Sequence, residues 1–386
     1  MRNAVIVATA RTPIGRAYKG SLVDVRADDL AALSIKALFA KVPEVNPASI
    51  EDVMMGCALT HHEQGFNVGR TAALLAGLPD TVPGTTVNRF CASSLQTIRM
   101  AFHAITAGEG DTYLAAGVES TTRCYGKAIN PEDLHPRFTD VSRPDFINQV
   151  YIPMGMTAEN VAEQFGITRT RMDEFAKRSQ DLAVAAQKNG FFDREITPIT
   201  LADGRDISAD DGPRPNVSME KLAELPPVFK PDGVITAGNS CPLNDGAAAV
   251  FLMEEAKARS LGLQPLARII ASSVSALAPE IMGIGPVGAV RKVLAKTGMT
   301  LQDVDVIELN EAFAAQVLAV VDQLGIDLDK LNPNGGAIAL GHPFGMTGAR
   351  IMGTLLNDLR TLDKTVGLET MCVGGGQGMA MLVERL

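Results

Sequence analysis

Two textures alternate along the chain. Short apolar runs, AVIVA at 4–8, YLAAGV at 113–118 and AAAVFLM at 247–253, have the length of buried strands. Elsewhere apolar residues return every three or four positions. Residues 28–40 carry one such stripe, Leu30, Leu33, Ile35, Leu38 and Phe39, and this spacing predicts a helix. Strands alternating with amphipathic helices predict an α/β fold of stacked layers.

The pattern also repeats. ALFAKVPEVNPASIEDVMMGCAL at 37–59 reads helix, turn, strand, and so does VLAKTGMTLQDVDVIELNEAF at 293–313. TTVNRFCASSLQTIRMAFHAI at 85–105 is a loop running into a helix whose one face holds Leu95, Ile98, Phe102 and Ile105. HPFGMTGARIMGTLLNDL at 342–359 does the same with Met352, Leu355, Leu356 and Leu359. An offset of roughly 250 residues is too long for a solenoid and fits two similar halves separated by an insertion. The stretch 120–239, rich in proline and charge, is that insertion. It contains one strong helix, RTRMDEFAKRSQDLAVAAQKNG, ending at Gly190.

Composition narrows the function classes. The chain has 386 residues, 46% of them apolar and 20% charged, with a net charge of −9. A surface that acidic disfavours general nucleic-acid and anionic-membrane binding. The apolar run Ala4 to Ala8 is too short for a signal sequence, and no stretch approaches the roughly 20 apolar residues of a membrane span. A cytoplasmic, reducing location is therefore expected. Five cysteines in odd number, without C-x-x-C spacing, argue against a disulfide framework and a structural zinc site. His61 and His62 are adjacent and do not share a helix face, so they read as a polar loop and no metal site is expected.

Four places could carry chemistry. Cys91 sits where extended chain turns into helix, and two readings stand there. One is a small buried filler; the other is a nucleophile acidified by the helix N-terminus. His342 precedes a helix among glycines, in the slot that Cys91 holds in the other half. If the halves are pseudo-symmetric, the two helix starts face each other and the imidazole can take the thiol's proton. A structural histidine in a turn is the alternative. Cys372 precedes three glycines in CVGGGQGMA, which reads as a tight strand connection whose N–H groups could form an oxyanion hole. Asn310 ends a strand and could polarise a carbonyl or hold a water; an Asn–Glu helix cap is the alternative. GIGPVG at 283–288 matches a dinucleotide fingerprint literally. Its preceding strand ends too early, however, and Pro286 occupies a position where a phosphate would need an N–H.

Taken together, NRFCASSLQ, TAGNSCPLNDGAA, NEAFAAQ, NPNGGAIALGHPFGMTGAR and CVGGGQGMA resemble the signatures of the thiolase family, in that family's order and across essentially the whole chain. The resemblance implies two βαβαβαββ halves in a five-layered αβαβα core with an inserted loop domain. The implied division is 1–119 with 240–262, then 120–239, then 263–386. It implies Cys91 as acyl-carrying nucleophile, His342 as its base, and Cys372 as the acid/base at the α-carbon. Asn310, with His342, would hold a water in one oxyanion hole, and the N–H groups of Cys91 and Gly374 would form the other. Arg214, Lys221, Cys241, Met154 and Phe313 fall among its CoA- and substrate-contacting positions. Cys241 stands where the family often has serine. Pro153 stands before Met154 where acetoacetyl-CoA thiolases have histidine, which resembles thiolases of fatty-acid breakdown.

The expected activity is thus acetyl-CoA C-acyltransfer by a 3-ketoacyl-CoA thiolase of β-oxidation. CoA and acyl-CoA are the partners, and no cofactor is permanently bound. A short-chain acetyl-CoA acetyltransferase is the alternative; a cysteine hydrolase and a silent acyl-CoA-binding protein are further ones. The family implies a homodimer or homotetramer, and an enzyme of β-oxidation is a possible partner.

Overall fold

The computed structural model describes residues 2–124 and 130–386. Its main sheet has ten strands. They are β1 (Ala4–Arg11), β2 (Gly15–Arg16), β3 (Asp52–Gly56), β4 (Gly84–Val87), β5 (Thr112–Ser120), β6 (Asn244–Glu254), β7 (Ala267–Ala276), β8 (Val306–Leu309), β9 (Val366–Val373) and β10 (Gln377–Arg385). The principal helices are α1 (Ala27–Lys41), α2 (Val68–Leu75), α3 (Ser93–Ala107), α4 (Met154–Phe165), α5 (Arg169–Lys188), α6 (Gly285–Thr297), α7 (Ala314–Leu324) and α8 (Thr347–Thr361). The helix expected at 28–40 is α1, and the three apolar runs lie within β1, β5 and β6.

Strand order is β8-β9-β10-β7-β1-β6-β5-β3-β4, with β2 paired to β6. It reads as a mirror image about the β7–β1 junction. On one side β4, β3 and β5 are parallel, and β6 and β1 follow antiparallel. On the other, β8 and β9 are parallel, and β10 and β7 follow antiparallel. A single parallel bridge, Ile307 to Leu331, stands where the counterpart of β4 would be. Each half also places a 3₁₀ turn (Pro47–Ser49, Leu301–Asp303) before its matching strand, so the sequence echo is a structural one. The two sides meet through a short antiparallel seam, Val5 to Arg268 and Ile6 to Ala267.

Alternation along the strands fills three cores. Val5, Val53, Leu114 and Phe251 face α1 and α2, where Leu30, Ile35 and Val68 meet them. Ile6, Met54, Ala115 and Val250 face the other way, onto Leu95 and Ile98 of α3 and Met352 and Leu355 of α8. Met371, Met379 and Met381 close this central layer from the second half. Ile307, Leu368 and Leu382 face Val290 of α6 and Val317 of α7. The order helix, sheet, helix, sheet, helix is the five-layered arrangement. Strands β1, β5 and β6 are buried on both faces, which is why they read as continuous apolar runs. The insertion leans on the second half: Val161 of α4 and Phe175 of α5 join the α7 core.

The two central helices meet at their N-termini. Ser94 Oγ accepts the N–H of Ala349 at 2.9 Å. A Cβ on Gly348 would lie 2.3 Å from the backbone nitrogen of Leu95. Backbone cannot yield as a flexible side chain can, so Gly348→Ala should destabilise the protein by about 3 kcal/mol, the upper end of overpacking costs. Chemical unfolding of the two proteins side by side measures it. An equal midpoint would mean that the helix starts are not pressed together.

Candidate active site

Cys91 lies in a 3₁₀ turn, Phe90–Ala92, between β4 and α3. Phe90 before it has a positive φ of 45° and remains 48% exposed. Left-handed backbone is uncommon for a bulky residue and costs on the order of 1–3 kcal/mol. The turn is held by Asn88 Oδ1, which accepts the Phe90 N–H at 2.9 Å, and by Ser93 Oγ, which donates to the Phe90 carbonyl at 2.7 Å. The backbone N–H groups of Gly374 and of Cys91 itself face the Cys91 sulfur. Gly374 opens the tight connection between β9 and β10, two residues after Cys372. The Cys91 and Cys372 thiols, 281 positions apart, are thereby brought to one place.

Of the two sequence-based readings of Cys91, buried filler and acidified nucleophile, burial opposes the acidification. Burial pushes the Cys91 pKa up to about 11, and the two N–H groups only oppose that rise. The helix proper begins at Ser93, two residues on, so Cys91 stands outside its first turn. Cys372 is fully buried, and burial, then Cys91 and Cys241, raise its pKa well above the ordinary range. Cys241 is raised by burial first and by Cys91 next. Three thiols therefore sense one another.

His342 is buried on the loop before α8, and burial lowers its pKa to about 3. The imidazole is neutral. Its Nε2 lies 3.3 Å from Asn310 Nδ2, a donor, so Nε2 is the accepting nitrogen. Nδ1 then carries the proton, donated to Thr347 Oγ1 at 2.6 Å; that hydroxyl donates to the Pro343 carbonyl at 2.8 Å. A neutral ring with an unprotonated Nε2 is the form that can accept a thiol proton. The His342 N–H donates to Asn244 Oδ1 at 3.0 Å. Buried Glu119 accepts from the N–H groups of Ala58 (2.9 Å) and Gly345 (2.8 Å), fastening the histidine loop to the first half.

Asn310 follows β8, and its N–H donates to the Thr370 carbonyl at 3.1 Å, two residues before Cys372. Asn310 Oδ1 is buried without a partner among the described residues. Such an orphan acceptor marks a place for an ordered water or a substrate group. Neighbouring Glu311 accepts from Ser179 (2.6 Å), Asn332 (2.8 Å) and the N–H of Ile338 (3.1 Å), joining α5 to the His342 stretch.

Sequence-predicted contact residues divide into two groups. Met154 lies beside the Gly374 turn with Phe90, and Phe313 stacks edge-on against Phe229 at 6.1 Å between ring centres. Cys241 donates its N–H to the Ala312 carbonyl at 3.0 Å, next to Phe313. Arg214 and Lys221 are exposed on the insertion, and the Lys221 amine bonds the Asn216 carbonyl in its own turn at 3.3 Å. His61 bonds the Cys124 carbonyl at 2.8 Å. In the GIGPVG stretch, Gly285 and Pro286 begin α6. Sequence reasoning missed Thr347 and Asn244. Thr347, five residues after His342, was within reach of a spacing argument; Asn244, 98 positions away, offered no local signal.

Cys91 and His342 are each neutral at rest, and that has a measurable consequence. Without substrate, Cys91 alkylation by iodoacetamide should keep rising about tenfold per pH unit through pH 9 and level off only near 11. Peptide mapping of the modified protein follows it. A plateau already reached at pH 7 would mean a resting thiolate–imidazolium pair.

The N-terminal thiolase domain model matches residues 4–256, and the C-terminal one matches residues 263–385. The chain belongs to the thiolase family and is an acyltransferase of that class. It is 46% identical to the beta-ketoadipyl-CoA thiolase of Acinetobacter baylyi and 47% identical to the 3-ketoacyl-CoA thiolase of Pseudoalteromonas translucida, over all of each chain. The crystal structure of the Bacillus anthracis acetyl-CoA acetyltransferase superposes with a TM-score of 0.90 at 41% identity, covering 100% of this chain and 99% of that one. Among the described residues no helix is long and apolar enough to cross a membrane.

Proposed function

We propose that the chain cleaves 3-oxoacyl-CoA with CoA, giving acetyl-CoA and an acyl-CoA two carbons shorter. Cys91 attacks the C3 carbonyl, and its proton passes to His342 Nε2. The C2–C3 bond breaks, leaving the acyl group as a thioester on Cys91 and an acetyl-CoA enolate. Cys372 gives that enolate its proton. CoA then takes the acyl group from Cys91: the CoA thiol proton passes to the Cys372 thiolate, and the proton held on His342 returns to the departing Cys91 sulfur. Developing negative charge meets two donor sets: the N–H groups of Cys91 and Gly374, and Asn310 with a water and His342. Losing one such donor typically costs about 2.7–4 kcal/mol of barrier. The observation that carries the reading is the Gly374 N–H facing the Cys91 sulfur beside Cys372.

The acyl side favours apolar chains, as in fatty-acid β-oxidation. Phe90, Met154 and Val150 gather at the Gly374–Gly375 turn, and Pro153 leaves no histidine beside them. A second reading, 3-oxoadipyl-CoA, has support from the names of several relatives at 45–46% identity. Thiolysis of C4, C8 and C12 3-oxoacyl-CoA and of 3-oxoadipyl-CoA separates the two. We expect kcat/KM at C8 to exceed that at C4 by at least tenfold. A maximum at C4 would make it a short-chain acetyltransferase, and a maximum at the dicarboxylate would select the second reading. The division at 120–239, a homodimer or homotetramer, a cytoplasmic site and a β-oxidation enzyme supplying the substrate belong to the same proposal.

A further inference from the structure

We propose that Arg89, acting through Gln377, is a positioning residue for thiolysis: its guanidinium ties the Cys91 turn to the triple-glycine hairpin and so sets where the Gly374 N–H stands over the nucleophile. This rests on the thiolytic reading above. Both residues lie inside signature stretches, yet the chemistry so far gives neither a role.

The pair answers a mechanical problem. β9 ends at Val373 and β10 begins at Gln377, and these two residues face each other across the hairpin. Gly374, Gly375 and Gly376 lie between, the last two at φ of 75° and 78°. Successive glycines permit the close approach that a donor at Cys91 needs, and they are also the least constrained backbone a chain can have. None has a side chain to brace itself. The far limb is held by the Leu277 N–H, which donates to the Gly376 carbonyl at 2.8 Å. A Cβ on Gly376 would lie 2.2 Å from the Leu277 carbonyl oxygen. The near limb, Gly374, is the one that serves the reaction. Its carbonyl accepts from Gln377 Nε2 at 3.2 Å.

Gln377 is in turn held from the other half of the molecule. Arg89 Nη1 donates to Gln377 Oε1 at 2.9 Å, and Arg89 Nε donates to Gln96 Oε1, on α3, at 3.0 Å. One planar, rigid group thus spans from α3 to the hairpin. The Arg89 backbone belongs to the frame of the Cys91 turn. Its N–H donates to Ser93 Oγ at 2.9 Å, and its carbonyl accepts the Ala92 N–H at 3.0 Å. Ser93 Oγ is the same hydroxyl that holds the Phe90 carbonyl. Phe90 lies against the hairpin, its ring 3.5 Å from where a Gly374 Cβ would stand. An unbroken path therefore runs from the Cys91 turn, through a guanidinium and an amide, to the Gly374 carbonyl. Its bonds reinforce one another, because a cation donating to the amide oxygen makes the amide N–H a stronger donor. Fixing Gly374 in advance leaves its N–H in place as negative charge grows on the substrate oxygen, with no reorganisation at that moment.

The test compares two reactions of one sulfur. Acetylation of Cys91 by acetyl-CoA passes through an oxyanion. Alkylation by iodoacetamide forms a C–S bond by displacing iodide and makes none. Gln377→Met keeps the side-chain length and charge and removes both bonds of the bridge. It should slow acetylation and the kcat of thiolysis by about 10–100-fold, because a catalytic donor displaced by about 1 Å can cost 10²-fold. Alkylation and the KM for CoA should stay within about threefold of wild type, as when a contact made only in the transition state is lost. Arg89→Met should act in the same way. The double variant should be no slower than the slower single one, since the two side chains act as a unit. Unchanged acetylation overturns the proposal. So does a KM for CoA that rises as kcat falls, which would make the pair a CoA contact, and so do losses that multiply in the double variant. If Arg89→Met does not fold, Gln377→Met, at a half-buried position, decides by the same ratio of acetylation to alkylation. Failure of the thiolytic reading looks different, because the wild-type protein would then carry no acetyl group on Cys91.

Discussion

Cys91→Ala loses thiolysis by a factor on the order of 10⁵–10⁶, the scale seen when a covalent nucleophile is removed. The wild-type protein, mixed with acetyl-CoA and no acceptor, carries one acetyl group on Cys91 by intact-mass and peptide analysis; the variant carries none. The strength of the prediction comes from the turn itself. Two hydrogen bonds, from the Phe90 N–H to Asn88 and from Ser93 to the Phe90 carbonyl, hold one small side chain under the N–H of Gly374. A filler needs no such frame. An acetyl group found on Cys241 or Cys372 in the variant, with activity retained, would move the nucleophile to that thiol.

Cys372→Ala separates the two halves of the chemistry. Acyl transfer to Cys91 needs only the nucleophile, its base and the donors around the carbonyl, so acetylation should proceed at a rate within a few-fold of wild type. Carbon–carbon cleavage needs a proton delivered to the enolate, and its rate should fall by about 10²–10⁴, the usual contribution of a positioned acid. Solvent deuterium entering the methyl group of acetyl-CoA gives an independent readout, and it should vanish with the thiol. Loss of acetylation and cleavage together would assign Cys372 to the first step. Survival of deuterium exchange would give the proton to another group, with the neighbouring Cys241 thiol a candidate.

Much of this was legible in the chain because it is local. The stripe Leu30, Leu33, Ile35, Leu38 and Phe39 defines α1 to within a residue or two of its ends. The paired faces Leu95–Ile98–Ile105 and Met352–Leu355–Leu359 are those that meet in the central layer. The echo between 37–59 and 293–313 exposed the duplication, since helix, turn and strand recur in the same order. Cys91, His342, Cys372 and Asn310 stood out because each sits where a regular element begins or ends. The rest depended on contacts that leave no period. The seam between Val5 and Arg268 joins two sheets through side chains indistinguishable from any other buried strand. Asn244 holds His342 from 98 positions away. The two readings of the Cys91 thiol stayed open in the sequence because a helix start is visible there whereas burial is not. In the folded protein desolvation outweighs the backbone dipoles.

The abutting starts of α3 and α8 carry a last consequence. The scaffold is doubled, yet the chemistry placed on it is not: one half contributes sulfur at its loop, and the other contributes an imidazole. Had both copies kept the same side chain, the molecule would hold two acceptors with nothing to deprotonate them, or two bases with nothing to activate. On the proposed reading, breaking the symmetry at that contact turns a duplicated framework into one workplace, with a single acyl passenger on each polypeptide at a time.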